Sequence, residues 1–299
     1  MDRTLIIGSA HTEYIAHVKQ LPKGNEDFQP DDIFQTTAGS GFRTAYVFHG
    51  FDFPYNLIAP VGTGVYGDAV KEDAQNCGIA LDAHSDEVSG CTYRMIDQEG
   101  AESILCVPGA EYSYDLSYTE NLYPQEISNI ALFGEMLTGD GTDDVLETLD
   151  DMSRPVYFMP GDRIQDAPQE AVDAILKLHP VLHLTDTEAY YFSKEHAREL
   201  KETASYLFSL TKAPVMILKE GEGTYYMDED DTFLAPEKDH MDPDLHIASC
   251  LCAKNAGVDL KNAVMFANHF SAMTEEGDLP DEKDFSEQKE RLAGMILHK

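Results

Sequence analysis

The chain predicts an α/β fold in which a mainly parallel sheet is covered by helices on both faces. Three observations lead there. From Asn129 onward, short apolar runs alternate regularly with helical stretches. The first apolar run, Thr4–Ala10, ends in Gly-Ser and reads as a buried strand. Two glycine-punctuated turns, AGSGFRTA and GTGVYGDAV, each open a helix. In such a fold, binding belongs in the crevice at the carboxyl ends of the strands.

Taken in order, the first strand is followed by a polar, Pro- and Gly-containing segment, His11 to Thr37. Within it Asp32–Thr37 reads as a strand without core character. A helix follows AGSG, carried by Ala45, Tyr46, Val47 and Phe48. Asn56–Val61 reads as a second buried strand, running into a helix that Cys77-Gly78 ends. Cys91–Asp97 and Glu102–Val107 form a hairpin across Asp97–Gly100 with one solvated face. Strands are then expected at Asn129–Phe133, Pro155–Met159, Val181–Leu184 and Pro214–Lys219, the last followed by a turn and strand in EGEGTYYM. Helices are expected between them at Asp143–Met152, Pro168–Leu178 and Glu195–Thr211.

Asp242-Pro243 is a helix start. A carboxylate caps free amides, and proline suits the first helical position because its missing N–H is not needed there. Leu245 to Ala253 make that helix largely apolar, and Asn255 with Gly257 end it. Helices at Asp259–Thr274 and about Phe285–Leu297 complete the chain. The acidic clusters 228–231 and 274–284 read as solvated loops. No linker or composition break divides residues 1–299, so a single domain is expected. The segments near 13–37 and 91–105 fall outside the alternation and are expected to pair as a small sheet over the crevice.

With 299 residues, 42% of them hydrophobic, the chain can bury a sizeable core. Its formal charge of −34, from 55 acidic and 21 basic residues, argues against nucleic acid as a partner. A nucleotide is not excluded, since a metal ion and a few local donors outweigh a distant acidic surface. Five cysteines is an odd number without metal-type spacing, which favours packing cysteines in a reducing cytoplasm. No run reaches membrane-spanning length, and the first apolar run is too short for a signal peptide. A soluble cytoplasmic protein without a membrane partner is expected.

The succession LIIGSAHTEYIAHVKQLPKGNED, AGSGFRTA, APVGTGVYGDAV, PGAEYSYD, FMPGDR, LHLTDTEAYYFS, ILKEGEGTYY and KDHMDPDLHIASCLCAKNAG resembles the ribokinase-like (PfkB) family of carbohydrate kinases. The resemblance covers nearly the whole chain. It implies a three-layer α/β/α sandwich with a small β lid. It further implies ATP with Mg²⁺, and transfer of the γ-phosphoryl to a hydroxyl of a sugar, nucleoside or sugar-like acceptor. It allows a homodimer through the lid.

Carried over residue by residue, the resemblance names candidates and departures. Glu13 stands where the family has an acceptor-binding Asp. In Ala38-Gly39-Ser40-Gly41-Phe42-Arg43, Gly39 is kept and Arg43 replaces an Asn. A guanidinium suits an acidic or phosphorylated acceptor; the alternative is a Glu13–Arg43 ion pair filling the pocket. Thr185 and Glu188 match the metal-organising motif, with Thr in place of Asn. Glu188 also suits a helix start, where its charge is favoured. Lys219, Gly221, Gly223 and Asn268 fall on the nucleotide side. Asp244 matches the catalytic base, but Met241-Asp242-Pro243 replaces the Gly-Ala-Gly whose amides form the anion hole. Pro243 has no N–H, and Asp242 would occupy the helix start itself. Lys238 and His240 could supply compensating charge.

Two functional readings follow: a sugar kinase with an unusual acceptor, and a kinase-like binder of a nucleotide or metabolite with little catalysis. A dinucleotide oxidoreductase lacks a clean GxGxxG after the first strand.

Overall fold

The computed structural model describes residues 3–25, 27–193, 199–274 and 278–297. The expected helix start at Glu195 and part of the acidic segment 274–284 lie outside these residues. The amino-terminal half contains β1 (Arg3–Ile7), β2 (His11–His17), β3 (Asp32–Ala38), α1 (Ser40–Gly50), β4 (Tyr55–Ile58), β5 (Val61–Thr63), α2 (Gly64–Asn76), β6 (His84–Val88), β7 (Cys91–Ile96) and β8 (Glu102–Val107). There follow β9 (Ile127–Phe133), α3 (Thr142–Met152), β10 (Val156–Met159), α4 (Gln169–Lys177), β11 (Val181–Thr185), α5 (Asp186–Ser193), α6 (Leu200–Thr211) and β12 (Val215–Lys219). The carboxyl-terminal part adds β13 (Gly223–Met227), β14 (Thr232–Pro236), α7 (Pro243–Asn255), α8 (Leu260–Ser271) and α9 (Glu282–Leu297).

The central sheet has the order β14-β13-β12-β11-β10-β9-β1-β4. It is parallel from β4 through β12, and β13 and β14 add an antiparallel edge. Strand alternation divides its side chains between two cores. Ile6, Ala131 and Phe133 point into one, with α1, α7 and α8; Leu5, Ile7, Ile130 and Leu132 point into the other, with α3, α4 and α6. That is a three-layer sandwich. Nine consecutive residues of α7, Leu245 to Ala253, are buried, as expected of a helix that is apolar nearly all round.

The two segments that broke the alternation pair with each other in a four-stranded sheet, β3-β2-β7-β8. Their approach to the core depends on small residues. Gly39 has φ +103°, and a Cβ there would lie 2.5 Å from the Ser9 carbonyl oxygen. Only glycine tolerates both demands, so α1 starts directly against the β1–β2 turn.

Two local expectations are corrected. Asn56–Val61 is not one strand: β4 ends at Ile58, and Val61–Thr63 pairs with β6 instead. Pro60 has no N–H with which to continue the ladder. The strands β6 and β14 were not anticipated, being short and largely solvent-facing. The 228–231 cluster is a solvated loop as expected, a tight turn between β13 and β14 closed by Asp228 N–H donating to the Asp231 carbonyl at 3.0 Å.

Candidate active site

A cleft of about 430 Å³ lies at the carboxyl ends of the parallel strands, beneath the four-stranded sheet. The sheet contributes Glu13, Arg94 and Ile104; the strand ends contribute Gly161 and Thr185; the helix starts contribute Gly39, Arg43, Glu188 and Asp244. A smaller adjoining space of about 290 Å³ is lined by Ser9, His11, Glu135, Arg163 and His183 among others.

The floor is the amino-terminal end of α7. Asp242 is its N-cap, and its Oδ1 accepts from the N–H groups of Asp244 and Leu245, both at 3.0 Å. Its Oδ2 takes the Arg43 Nη2 at 2.5 Å, and Arg43 also donates to the Asp278 carbonyl at 3.2 Å. The Asp244 carboxylate lies 3.8 Å from Arg43 Nε, with its side chain 28% exposed. Burial and the neighbouring Asp242 charge push the Asp244 carboxyl up to about 8, against the pull of Arg43. Thus the residue expected to act as base holds its proton more tightly than an ordinary carboxyl, and the α7 amides are already bonded to a carboxylate.

Thr185 and Glu188 form a capping box: Thr185 N–H donates to Glu188 Oε2 at 3.0 Å, and Glu188 N–H donates to Thr185 Oγ1 at 3.3 Å. The helix-start role is therefore real. Burial, then Asp162, raises the Glu188 carboxyl to about 7, against the Thr185 hydrogen bonds. Among the described residues no three His, Cys, Asp or Glu side chains group closely enough to hold a metal alone. Mg²⁺ needs less, because it keeps waters and usually takes one or two carboxylates plus phosphate oxygens. A half-buried carboxylate beside a hydroxyl fits that requirement. The α7 start does not fit a phosphoryl group while Asp242 stays on its amides.

Other expected site residues are distributed differently. Glu13 accepts from Thr92 Oγ1 at 3.3 Å and from Arg94 Nε at 3.4 Å, so it and Arg43 find separate partners. His240 lines the cleft and meets Glu220 at 3.2 Å. Lys219 pairs with Glu222 at 2.7 Å beside the turn that carries Gly221, and Gly223 opens β13. Lys238 is exposed on the following segment. Asn268 is the clearest correction. It is buried in the core, where its Oδ1 receives Thr224 Oγ1 at 2.6 Å and faces His246 Nε2 at 2.9 Å. Its Nδ2 donates to the Ala235 carbonyl at 2.7 Å, so both ends of the amide are committed and it does not face a nucleotide.

Sequence reasoning passed over Glu135, His11, Arg94, Arg163 and His183. Glu135 stands just past the end of β9, where its Oε1 accepts from Ser9 N–H at 3.0 Å, Ser9 Oγ at 2.7 Å and the Ser40 hydroxyl. Its place directly after a parallel strand was the available signal.

No protein-family model matches the chain, and no curated protein matches it. Solved structures do. Ribokinase from Thermotoga maritima superposes with a TM-score of 0.80 at 17% identity, over 97% of this chain and 100% of the other. Arabidopsis thaliana ribokinase in complex with ribose and ATP gives 0.76 at 17%, over 97% and 99%. A Burkholderia thailandensis nucleoside kinase in complex with inosine gives 0.75 at 17%, over 97% and 99%. The chain has the ribokinase-like fold: a three-layer α/β/α sandwich with a small β lid.

Proposed function

We propose that the chain is a phosphotransferase acting on a hydroxyl of a small sugar or sugar-like acceptor, with Mg·ATP as phosphoryl source, and that Asp242 holds its turnover low. The observation that carries this reading is Asp244, whose carboxyl stands at the start of α7 on the floor of the cleft, under the lid. Asp244 takes the acceptor hydroxyl proton. Glu13 from the lid and Gly39 from the start of α1 hold the acceptor, and Arg43 sets the position of both α7 carboxylates. Glu188 with Thr185 would hold Mg²⁺, which screens phosphate charge when bound. Lys219, Gly221, Gly223 and His240 form the nucleotide side, with Lys238 as an outlying charge. Solved neighbours with ribose and ATP, or with inosine, support small hydroxylated ligands and a nucleotide.

One observation favours a second reading, a binder of a nucleotide or metabolite without efficient transfer. The amides of Asp244 and Leu245 are capped by Asp242, and Pro243 supplies none. Loss of one oxyanion donor costs about 100- to 1000-fold in rate.

The five free cysteines and the absence, among the described residues, of a helix long and apolar enough to cross a membrane support a cytoplasmic setting. Exposed Ile33 and Leu105, on the face of the lid opposite the cleft, support a homodimer. The test of function is acceptor-dependent ADP formation from Mg·ATP across sugars, sugar acids, sugar phosphates and nucleosides, with Asp244→Asn as control. Turnover that disappears in the control supports transfer. Saturable ligand binding without turnover supports the second reading.

A further inference from the structure

The cleft has a wall that phosphoryl transfer does not use. His11, the first residue of β2, faces both connected spaces, is 9% exposed, and its Nδ1 is buried without a hydrogen-bond partner among the described residues. Arg163, in the turn after β10, lines the same wall. Its guanidinium lies 4.4 Å over the Tyr112 ring and its Nε is 3.7 Å from Asp166, while its Nη1 is likewise buried without a partner. Arg94 reaches the wall from β7 and is shared with Glu13 and Glu102 at 3.4 and 3.5 Å. Buried polar atoms are nearly always paired, so two orphans on one concave wall mark a place where a ligand atom completes the bonding.

The sign of the missing atom follows from its surroundings. Burial, then Arg94 and Arg163, holds His11 down to about 4, so its ring is neutral at pH 7 and sits in a positive field. Of the carboxylates around this wall, Glu13 is engaged with Thr92 and Arg94, Glu135 with Ser9 and Ser40, and Asp166 with Arg163, while Asp162 also lines both spaces. Asp244 and Glu188, which line the same two spaces, show the reverse imbalance, both raised. Arg43, the guanidinium that the sequence pointed to for an acidic ligand, is committed to Asp242.

We infer that His11 and Arg163, with Arg94 beside them, form a subsite for an anionic group, a carboxylate or a phosphate, carried by the acceptor. This deepens the reading of the cleft as an acceptor site and rests on it. Guanidinium forks match the geometry of both groups, and such charge-assisted bonds are among the stronger ones.

The test is calorimetric binding of D-ribose, D-ribonate and D-ribose 5-phosphate to the intact chain at pH 7 without nucleotide. At least one acidic probe should bind about tenfold or more tightly than ribose. The two acidic probes separate the carboxylate from the phosphate source. Arg163→Gln and His11→Gln should bring the preferred acidic probe close to ribose while melting with the wild type, and Arg163→Lys should keep part of the preference. Equal affinity for the three probes, failure of both acidic probes to bind at millimolar concentration, or an undiminished preference in Arg163→Gln overturns the inference. Because no ATP is present, these outcomes are independent of whether the chain transfers phosphoryl groups.

Discussion

Replacing Asp242 with glycine should make the protein less stable and more active at once. The Asp242 carboxylate does two structural jobs: it caps α7 at 3.0 Å from two amides and neutralises Arg43 at 2.5 Å. Glycine is itself a tolerable N-cap, so the cap change costs only a few tenths of a kcal/mol. The ion pair matters more. Stripping one partner from a fully buried pair costs about 3–5 kcal/mol. Here the Arg43 side chain is 10% exposed and keeps Asp244 at 3.8 Å and the Asp278 carbonyl at 3.2 Å, which lowers the penalty. A total of about 2–3 kcal/mol is reasonable on these grounds. For 299 residues the entropy of unfolding is ~0.6 kcal/mol/K, so Tm should fall by roughly 3–5 °C. The same change frees the amides of Asp244 and Leu245. Since Pro243 still lacks an N–H, only part of an anion hole returns, and acceptor-dependent ADP formation should rise by about tenfold or more. Thermal melting and a coupled ADP assay read the two effects. A lowered Tm with unchanged ADP formation would refute the claim that Asp242 restrains transfer. An unchanged Tm would refute its structural role.

Asp244 predicts an unusual pH dependence. Its carboxyl is raised to about 8, and only the deprotonated form accepts a proton, so turnover should climb with pH up to about that value. The folded chain holds a proton that the unfolded chain has released. This group's contribution to stability is therefore lost as pH rises from the ordinary carboxyl range toward about 8. A rate profile already level from pH 6 upward contradicts the assignment. For the lid, sedimentation should show a dimer at micromolar concentration that Leu105→Lys dissociates, because Leu105 is 56% exposed on an edge strand. A wild-type monomer would remove that proposal.

The layered fold was legible because buried parallel strands read as short apolar runs and their covering helices as longer periodic ones. The α7 start was legible to the residue: Asp242 caps and Pro243 takes the first position. What misled was local ambiguity that only packing resolves. Pro60 divided an apolar run that looked continuous. Asn268 sits at a plausible helical position for a nucleotide contact, yet a buried Thr224 and His246 claim its amide. Thr185 and Glu188 satisfied both readings at once, since a capping box spends one carboxylate oxygen and leaves the other. The wall of His11 and Arg163 was hidden because its members come from β2 and the turn after β10, 152 residues apart in sequence, and each alone is an ordinary polar residue.

The most direct test of the central claim is ADP formation by the wild type and by Asp244→Asn, measured side by side with Mg·ATP and the acceptor panel. The account predicts slow, acceptor-dependent ADP release that rises toward pH 8 and is lost in Asp244→Asn. ADP release that persists at the wild-type rate in Asp244→Asn would contradict it.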